Sequence, residues 1–372
     1  MNKRLVQTNR DLLHQVSVVR AALSSASVAS VMGPYVESVL AMCEALHKEA
    51  LRQLKDLSYG LEDTIPDILE ATQRAGNLFD LVNTRFAPPI IRYADEDRLP
   101  LAIINWVHEA HDATRKKPFA VADGGFAVYP TPDWPIVYLL PVTRRMTLLL
   151  LPFLFHEFGH LLYACHKAEL DELVGEFQQR VAQVLAPTTV RDRGPTTTDE
   201  GFQAAVAEAW YAWTQEVFCD AVGLSIAGEC YLKAFSHYFR FRSSHEYYLP
   251  RHEQLLRRHP VTRIRTAMLL DRARQIGLDG PASDVADAWM LTARTLGVRE
   301  DYEGTWVDEL FMPLRKAIDD MLEEASPISC LALPTNAPVS MINEAWTRFE
   351  GDATGFAEWE RATIDKYLMG FS

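Results

Sequence analysis

The chain has 372 residues, of which 48% are hydrophobic, and a formal net charge of −13 at pH 7. This composition allows a large core and excludes wholesale disorder, and the scarcity of basic clusters makes nucleic acid an unfavourable partner. Five scattered cysteines without a CxxC pair argue against a disulfide framework and a zinc knuckle.

The sequence lacks the features of a secreted or membrane-spanning chain. No apolar segment follows the early charges of the N-terminus, so a secretory signal is not expected. The most apolar run, "MTLLLLPFLF" (146–155), is about half the roughly 20 residues that a membrane span needs. We therefore expect a soluble, cytoplasmic protein without a membrane span.

Helical periodicity dominates the first part of the chain. In "YVESVLAMCEALHKEALRQLKDL" (35–57), apolar residues recur at helical intervals, which is typical of a packing or partner helix. A further helix is predicted for 101–116. Its "HEAH" segment (108–111) has two histidines only three apart among charges, which favours a solvent-facing helix turn over a metal site.

Strand signals follow in "PFAVADGGFAVYPTPDWPIVYLLPV" (118–142), which combines Gly-Gly, several prolines and β-branched or aromatic runs. The segment "PIVYLLP" is bounded by Pro135 and Pro141. Because proline cannot donate a hydrogen bond within a central ladder, this segment is predicted to be an edge strand.

Helices return after the strands. The segment "FQAAVAEAWYAWTQEVFCDAVGLSIAGECYL" (202–232) predicts a long apolar helix or a helix pair. The predicted fold class is α+β and mainly helical, with a small sheet. We expect three regions: helical 1–117, a catalytic core at 118–272, and an acidic helical region at 273–372.

The segment "LFHEFGHLLYACH" (154–166) contains the pattern H-E-x-x-H. His156 and His160 are four positions apart, so on a helix they point within about 40° of each other and can reach one ion. Glu157 lies beside them and is placed to take a proton from a water on the metal. The pattern predicts a Zn²⁺ site.

Two residues compete for the place of third ligand. His166 stands at the last position of the metzincin pattern H-E-x-x-H-x-x-G-x-x-H, but Tyr163 occupies the glycine position. Without that glycine we expect the helix to continue and to point His166 about 80° away from His156. The other candidate is Glu216, which lies further along the chain.

Glu216 and Asp220 are four positions apart in "WTQEVFCDAVGL" (213–224), an apolar helix. A carboxylate from Glu216 can complete a catalytic His2Glu site and leave one position for water. Asp220 can then accept the far N–H of a ligand histidine and fix its tautomer. Cys219, between the two, is predicted to be a small core residue rather than a ligand.

An H-E-x-x-H helix followed by E-x-x-x-D resembles the gluzincin metallopeptidases. The segment "HPVTRIR" (259–265) is similar to the H-P-P-x-x-x-R motif of the prenyl-protein endopeptidase and stress-protease group, with Val261 in place of the second proline. The resemblance covers about residues 135 to 270, and unlike that group this chain shows no membrane span. It implies an active-site position for His259 and Arg265, and an extended substrate backbone along an exposed strand beside the metal helix, such as "PIVYLLP".

The predicted function is therefore zinc-dependent peptide hydrolysis, with Glu157 activating the attacking water. The absence of the G-x-M-x-N signature of aminopeptidases favours endopeptidase action on a peptide or protein substrate. His259, Arg265 or a tyrosine of 247–248 is expected to stabilise the oxyanion, and the helical arms to gate the site or bind a regulatory protein. Two alternatives stay open: a metzincin-like protease that uses His166, and a non-enzymatic, zinc-stabilised interaction module.

Overall fold

A computed structural model describes residues 2–60, 62–131, 133–185, 197–247, 255, 257–298, 305–333 and 337–371. The described chain is mainly helical with one three-stranded sheet, which confirms the predicted class. It divides into two compact units. The first comprises Met1–Glu109, Arg115–Met146 and Ile364–Ser372, and the second comprises Ala110–Thr114 and Thr147–Thr363.

The helices of the first unit are α1 (Asn2–Ser25), α2 (Gly33–Ser58), α3 (Ile65–Leu81), the π-helical turn Val82–Phe86, α4 (Pro88–Ile91) and α5 (Arg98–Glu109). As predicted, α2 presents one apolar stripe at spacings of three and four, and it packs with α1 and α3. A buried polar chain joins these three helices, because Asn9 donates to Thr72 (3.0 Å) and Thr72 donates to Gln53 (2.7 Å).

The sheet of the first unit contains β1 (Phe119–Asp123), β2 (Ala127–Tyr129) and β3 (Ile136–Leu140), in the spatial order β1-β3-β2. Strand β3 pairs in parallel with β1 and antiparallel with β2, so the predicted edge position of "PIVYLLP" is wrong. The two prolines flank β3 without entering it, and every residue of the strand itself keeps its N–H. The central position is therefore compatible with proline at both ends.

The second unit contains the helices that follow the sheet: α6 (Phe153–Cys165), α7 (Lys167–Leu185), α8 (Thr197–Ala227), α9 (Glu229–Phe239), α10 (Thr262–Gln275), α11 (Asp279–Leu296), α12 (Phe311–Ala325), α13 (Pro338–Gly351) and α14 (Phe356–Met369). Only the first part of α14 belongs to this unit, because the residues from Ile364 onwards belong to the first unit. Helix α8 packs against α6, α7, α10 and α12 and forms the centre of this unit. The predicted helix pair is confirmed: Gly228, with φ of 59°, separates α8 from α9.

The two units divide the chain differently from the three predicted regions. The strands belong with the N-terminal helices, and most of the acidic C-terminal helices belong with α6 and α8. Packing contacts define the units, whereas the prediction followed changes in composition along the chain. Within the described residues, no helix combines the length and the apolarity that crossing a membrane requires.

Candidate metal centre

The site is built on two apolar helices that approach closely. Helix α6 carries H-E-x-x-H and is buried along most of its length, and α8 carries Glu216 and Asp220. Gly159 permits the approach, because a Cβ at this position would lie 2.8 Å from the Cα of Cys219. The backbone of α8 therefore occupies the space that any larger residue at 159 would need.

His156, His160 and Glu216 bring one ligand atom each within 4.8 Å of one another. Glu216 Oε2 lies 3.3 Å from His156 Nε2, and Glu216 Oε1 lies 3.6 Å from His160 Nε2. Ligands about 2.0–2.1 Å from a tetrahedral ion are separated by about 3.3–3.4 Å. The three side chains thus have the chemistry and nearly the spacing of a His2Glu metal site.

Asp220 lies behind this group and organises it. Its Oδ1 is 2.9 Å from His156 Nδ1 and accepts a hydrogen bond from the Tyr231 hydroxyl at 2.7 Å. Arg265 donates to both carboxylate oxygens, at 2.6 and 2.7 Å. Because an ionised carboxylate only accepts, Asp220 holds a proton on His156 Nδ1, and Nε2 is the ring nitrogen that faces Glu216.

Two buried carboxylates of the site are ionised. Burial by itself raises the pKa of Asp220, but Arg265 outweighs it and brings the pKa to about 2. Burial likewise opposes ionisation of Glu216, yet its contacts with His156 and His259 hold its pKa well below the usual range. Two ionised carboxylates thus face one permanent cation, Arg265, and the second positive charge comes from a protonated His156 or from a metal that replaces its Nε2 proton.

The pKa values of the two histidines shift in opposite directions. Burial lowers the pKa of His156, but contacts with the ionised Asp220 and Glu216 reverse the effect and raise it to about 10. The pKa of His160 falls to about 4, chiefly because of burial, so this ring is neutral and its lone pair is available. A metal cation fits the place where these two rings meet Glu216.

Glu216 itself supports that fit. Its Oε2 is buried and accepts no hydrogen bond of acceptable geometry from the described residues, although ring nitrogens of His156 and His259 lie 3.3 and 2.7 Å away. A buried carboxylate oxygen without a proper donor is costly. A cation coordinated by this oxygen would remove that cost, so the residues present fit a bound metal.

Glu157 is only 4% exposed on α6, next to His156. Burial raises its pKa to about 7, while the positive charge of His156 opposes the shift. A carboxyl group with a pKa near neutrality can both accept and release a proton at pH 7, which is the property that a general acid–base needs.

His166 lies outside the ligand group that the described residues form. The prediction that the helix continues through this position is wrong: α6 ends at Cys165, His166 adopts φ of −114° and ψ of 31°, and α7 begins at Lys167. The imidazole Nδ1 lies 3.8 Å from Glu324 Oε1 on α12. The helix therefore ends without a glycine, and the His166 side chain lies against α12.

The residues predicted to stabilise an oxyanion differ in burial and in their contacts with the ligand group. Arg265 is buried and engaged with both oxygens of Asp220, whereas the His259 side chain is 52% exposed, with Nδ1 2.7 Å from Glu216 Oε2. Tyr247 is buried, and its hydroxyl donates to the carbonyl of Arg240, while Tyr248 lies outside the described residues. Of the described candidates, His259 is the one that both adjoins the ligand group and reaches solvent.

The predictions for Cys219 and for the "HEAH" segment have clear outcomes. Cys219 is a buried free thiol with Sγ 3.3 Å from His160 Nδ1, so it contacts the ring nitrogen that faces away from Glu216. The solvent-facing prediction for "HEAH" is wrong. His108 is buried and bonds the Tyr138 hydroxyl at 2.9 Å, and His111 is buried and bonds the carbonyl of Ala325 at 3.0 Å.

Sequence reasoning missed Tyr231, whose hydroxyl holds Asp220 and lies 3.4 Å from His156 Nδ1. Gly223 makes room for its ring, because a Cβ there would lie 2.4 Å from Tyr231 Cε2. The available signals were the glycines of "HEFGH" and "DAVGL", each within a helix that carries a proposed site residue. A glycine in the middle of an apolar helix indicates close packing at that point.

Replacing Gly159 by alanine is expected to destabilise the second unit by about 1–3 kcal/mol, because the new methyl group must separate α6 from α8. The same change at Gly175, a helical glycine of α7 with open space around it, is expected to stabilise by about 0.5–1 kcal/mol. Urea unfolding of both variants measures the difference. Equal effects at the two positions would contradict the close contact of α6 and α8.

Comparison of the chain with protein-family models, curated proteins and solved structures gives no match.

Proposed function

We propose that this protein is a zinc-dependent metallopeptidase of the gluzincin type, and that it acts as an endopeptidase. The observation that carries the proposal is the meeting of His156, His160 and Glu216 within 4.8 Å, with the buried Glu157 on the same helix turn. Two imidazoles and one carboxylate suit Zn²⁺ and leave a coordination position for water or substrate.

Each of the site residues has its own role in the proposed hydrolysis. A zinc ion held by three protein ligands supplies Lewis acidity that lowers the pKa of water and polarises a peptide carbonyl. Glu157 accepts a proton from the attacking water and delivers it to the leaving amine, and its raised pKa suits both transfers. Asp220 fixes the tautomer of His156. The exposed His259 donates to the oxyanion.

Arg265 and Tyr231 have a positioning role in this proposal. Both bind Asp220, and neither is placed as a ligand. Arg265 also stacks near the rings of Phe235 and Phe239, with its guanidinium carbon 5.3 and 5.6 Å from their centroids. The predicted catalytic role of Arg265 is thus replaced by one in which it keeps Asp220 ionised and fixed against His156.

The geometry favours Glu216 over His166 as third ligand, and metal content tests the choice. The wild-type protein is expected to hold about one zinc per chain, Glu216→Ala to lose it, and His166→Ala to retain it. Elemental analysis after dialysis against zinc gives the counts, and circular dichroism verifies that each variant is folded.

Reversed losses in the two variants would support the metzincin alternative. A folded wild-type protein that holds no metal after zinc dialysis would contradict the zinc site altogether. A site with four protein ligands and no coordinated water, seen by X-ray absorption spectroscopy, would support the non-enzymatic module instead.

A further inference from the structure

The first unit contains a cavity that the metal chemistry does not involve. Its volume is about 400 Å³, and its walls come from the π-helical turn, α4 and the sheet. This volume lies within the range of about 300–1,000 Å³ that small-molecule sites occupy. Three arginines and two aspartates line it, which leaves one net positive charge: Arg85, Arg92, Arg145, Asp97 and Asp123.

Arg145 and the two aspartates form a fixed part of the wall. Arg145 is buried and pairs through Nη1 with Asp97 and through Nη2 with Asp123. Its Nε is buried and has no hydrogen-bond partner in the described part of the chain. Because a guanidinium stays charged, Arg145 contributes a permanent positive charge to this wall.

Arg85 and Arg92 are available at the wall. Both are exposed, and neither forms an ion pair with a carboxylate of the described residues. The guanidinium carbon of Arg85 lies over the Tyr129 ring, 4.5 Å from its centroid, so a cation–π contact holds this side chain at the wall. Planar guanidinium groups bind carboxylate and phosphate oxygens in pairs of hydrogen bonds.

The backbone at Arg85 is unusual in a way that suits a binding site. Ala87 N donates to Val82 O at 2.8 Å, five residues back, and closes the π-helical turn. Pro88 and Pro89 follow and cannot donate to the carbonyls of the preceding turn, so the regular α-helical ladder stops here. π-Helical turns are frequent at functional sites, and this one brings Arg85 to the cavity.

We propose that this cavity binds a small anionic molecule through its carboxylate or phosphate group, held by Arg85 and Arg92 above the Arg145 pair network. The apolar remainder of the wall, which includes Pro89 and Val121, contacts the body of the ligand. The site is separate from the metal ligands in the chain and does not depend on peptidase activity.

Calorimetric titration of the full-length protein tests the proposal with two probes, inorganic phosphate and succinate, at matched ionic strength. The wild-type protein is expected to bind at least one of them at a single site, and the probe that binds identifies the anion class. Arg85→Gln and Arg92→Gln are each expected to weaken binding about 10-fold, because each removes charge-assisted hydrogen bonds. Thermal unfolding without ligand verifies that the variants remain folded.

Two further variants make the test specific. Arg144→Gln removes the same charge from an exposed residue that does not line the cavity, and it is expected to leave affinity unchanged. Asp123→Asn removes a half-exposed carboxylate from the wall and is expected to tighten anion binding. The proposal is overturned if wild type binds neither probe, if Arg144→Gln weakens binding as much as Arg85→Gln, or if Asp123→Asn weakens it.

Discussion

Glu157→Gln is expected to reduce peptide hydrolysis by about 10²–10⁴-fold while the protein keeps its metal and its fold. Glutamine has nearly the shape of glutamate, so the packing of α6 is preserved. Its amide cannot accept a proton from water. Burial already disfavours the charged form of Glu157, so a neutral side chain at this position is not expected to destabilise the folded state.

The measurement combines a rate with a metal count. A quenched-fluorescence peptide library or a denatured protein serves as substrate, and mass spectrometry in ¹⁸O-labelled water identifies new carboxyl termini. Glu169→Gln, at an exposed position on α7, is the matched control and should cleave like wild type. Wild-type rates in Glu157→Gln would exclude Glu157 as the base. Loss of metal in that variant would assign Glu157 a structural role instead.

Asp220→Ala is expected to lower the free energy of unfolding by about 3–5 kcal/mol in the metal-free protein. Arg265 is only 4% exposed, and both of its hydrogen bonds to Asp220 would be lost, which leaves a buried guanidinium with only the longer ion pair to Glu216 at 3.9 Å. Burial lowers the pKa of Arg265, but arginine has an ordinary pKa above about 12 and Glu216 still raises the pKa of this residue in the variant, so the side chain remains charged without Asp220.

A double-mutant cycle separates this effect from a loss of packing. Arg265→Met combined with Asp220→Ala removes the unpaired charge, and this double variant is expected to be more stable than Asp220→Ala alone. Asp271→Ala is the control, because Asp271 pairs with Arg315 at 3.4 Å near the surface and should contribute no more than about 1 kcal/mol. Urea unfolding gives all the values. An effect of Asp220→Ala no larger than that of Asp271→Ala would contradict the buried pair.

The sequence placed Glu157 beside its neighbours from one motif, but it predicted only one of the contacts of Asp220. Glu157 follows from one motif, because its place beside His156 is set within a single helix turn. Asp220 was expected to orient a ligand histidine, and the structure places its Oδ1 2.9 Å from His156 Nδ1. The bidentate pairing of Asp220 with Arg265, 45 positions further on, does not follow from either local pattern.

What the sequence by itself determined is local in origin. The 3.6-residue period of the α-helix relates positions four apart, so it sets His156 beside His160 and Glu216 beside Asp220 before any tertiary contact forms. The same reasoning predicted α2 and the presence of short strands, and it left a helix pair open for 202–232, because periodicity and the cluster of proline and glycine act over a few residues.

What only the tertiary structure decided depends on contacts between distant segments. The meeting of Glu216 with His156 and His160 requires α8 to pack on α6 at Gly159, and the central position of β3 requires partners on both of its sides. The contact of Tyr231 with Asp220 and the burial of His108 arise in the same way. Spacing along one helix or strand fixes which side chains share a face, but the face that is buried and its partner follow from packing over the whole unit, which no short window of sequence contains.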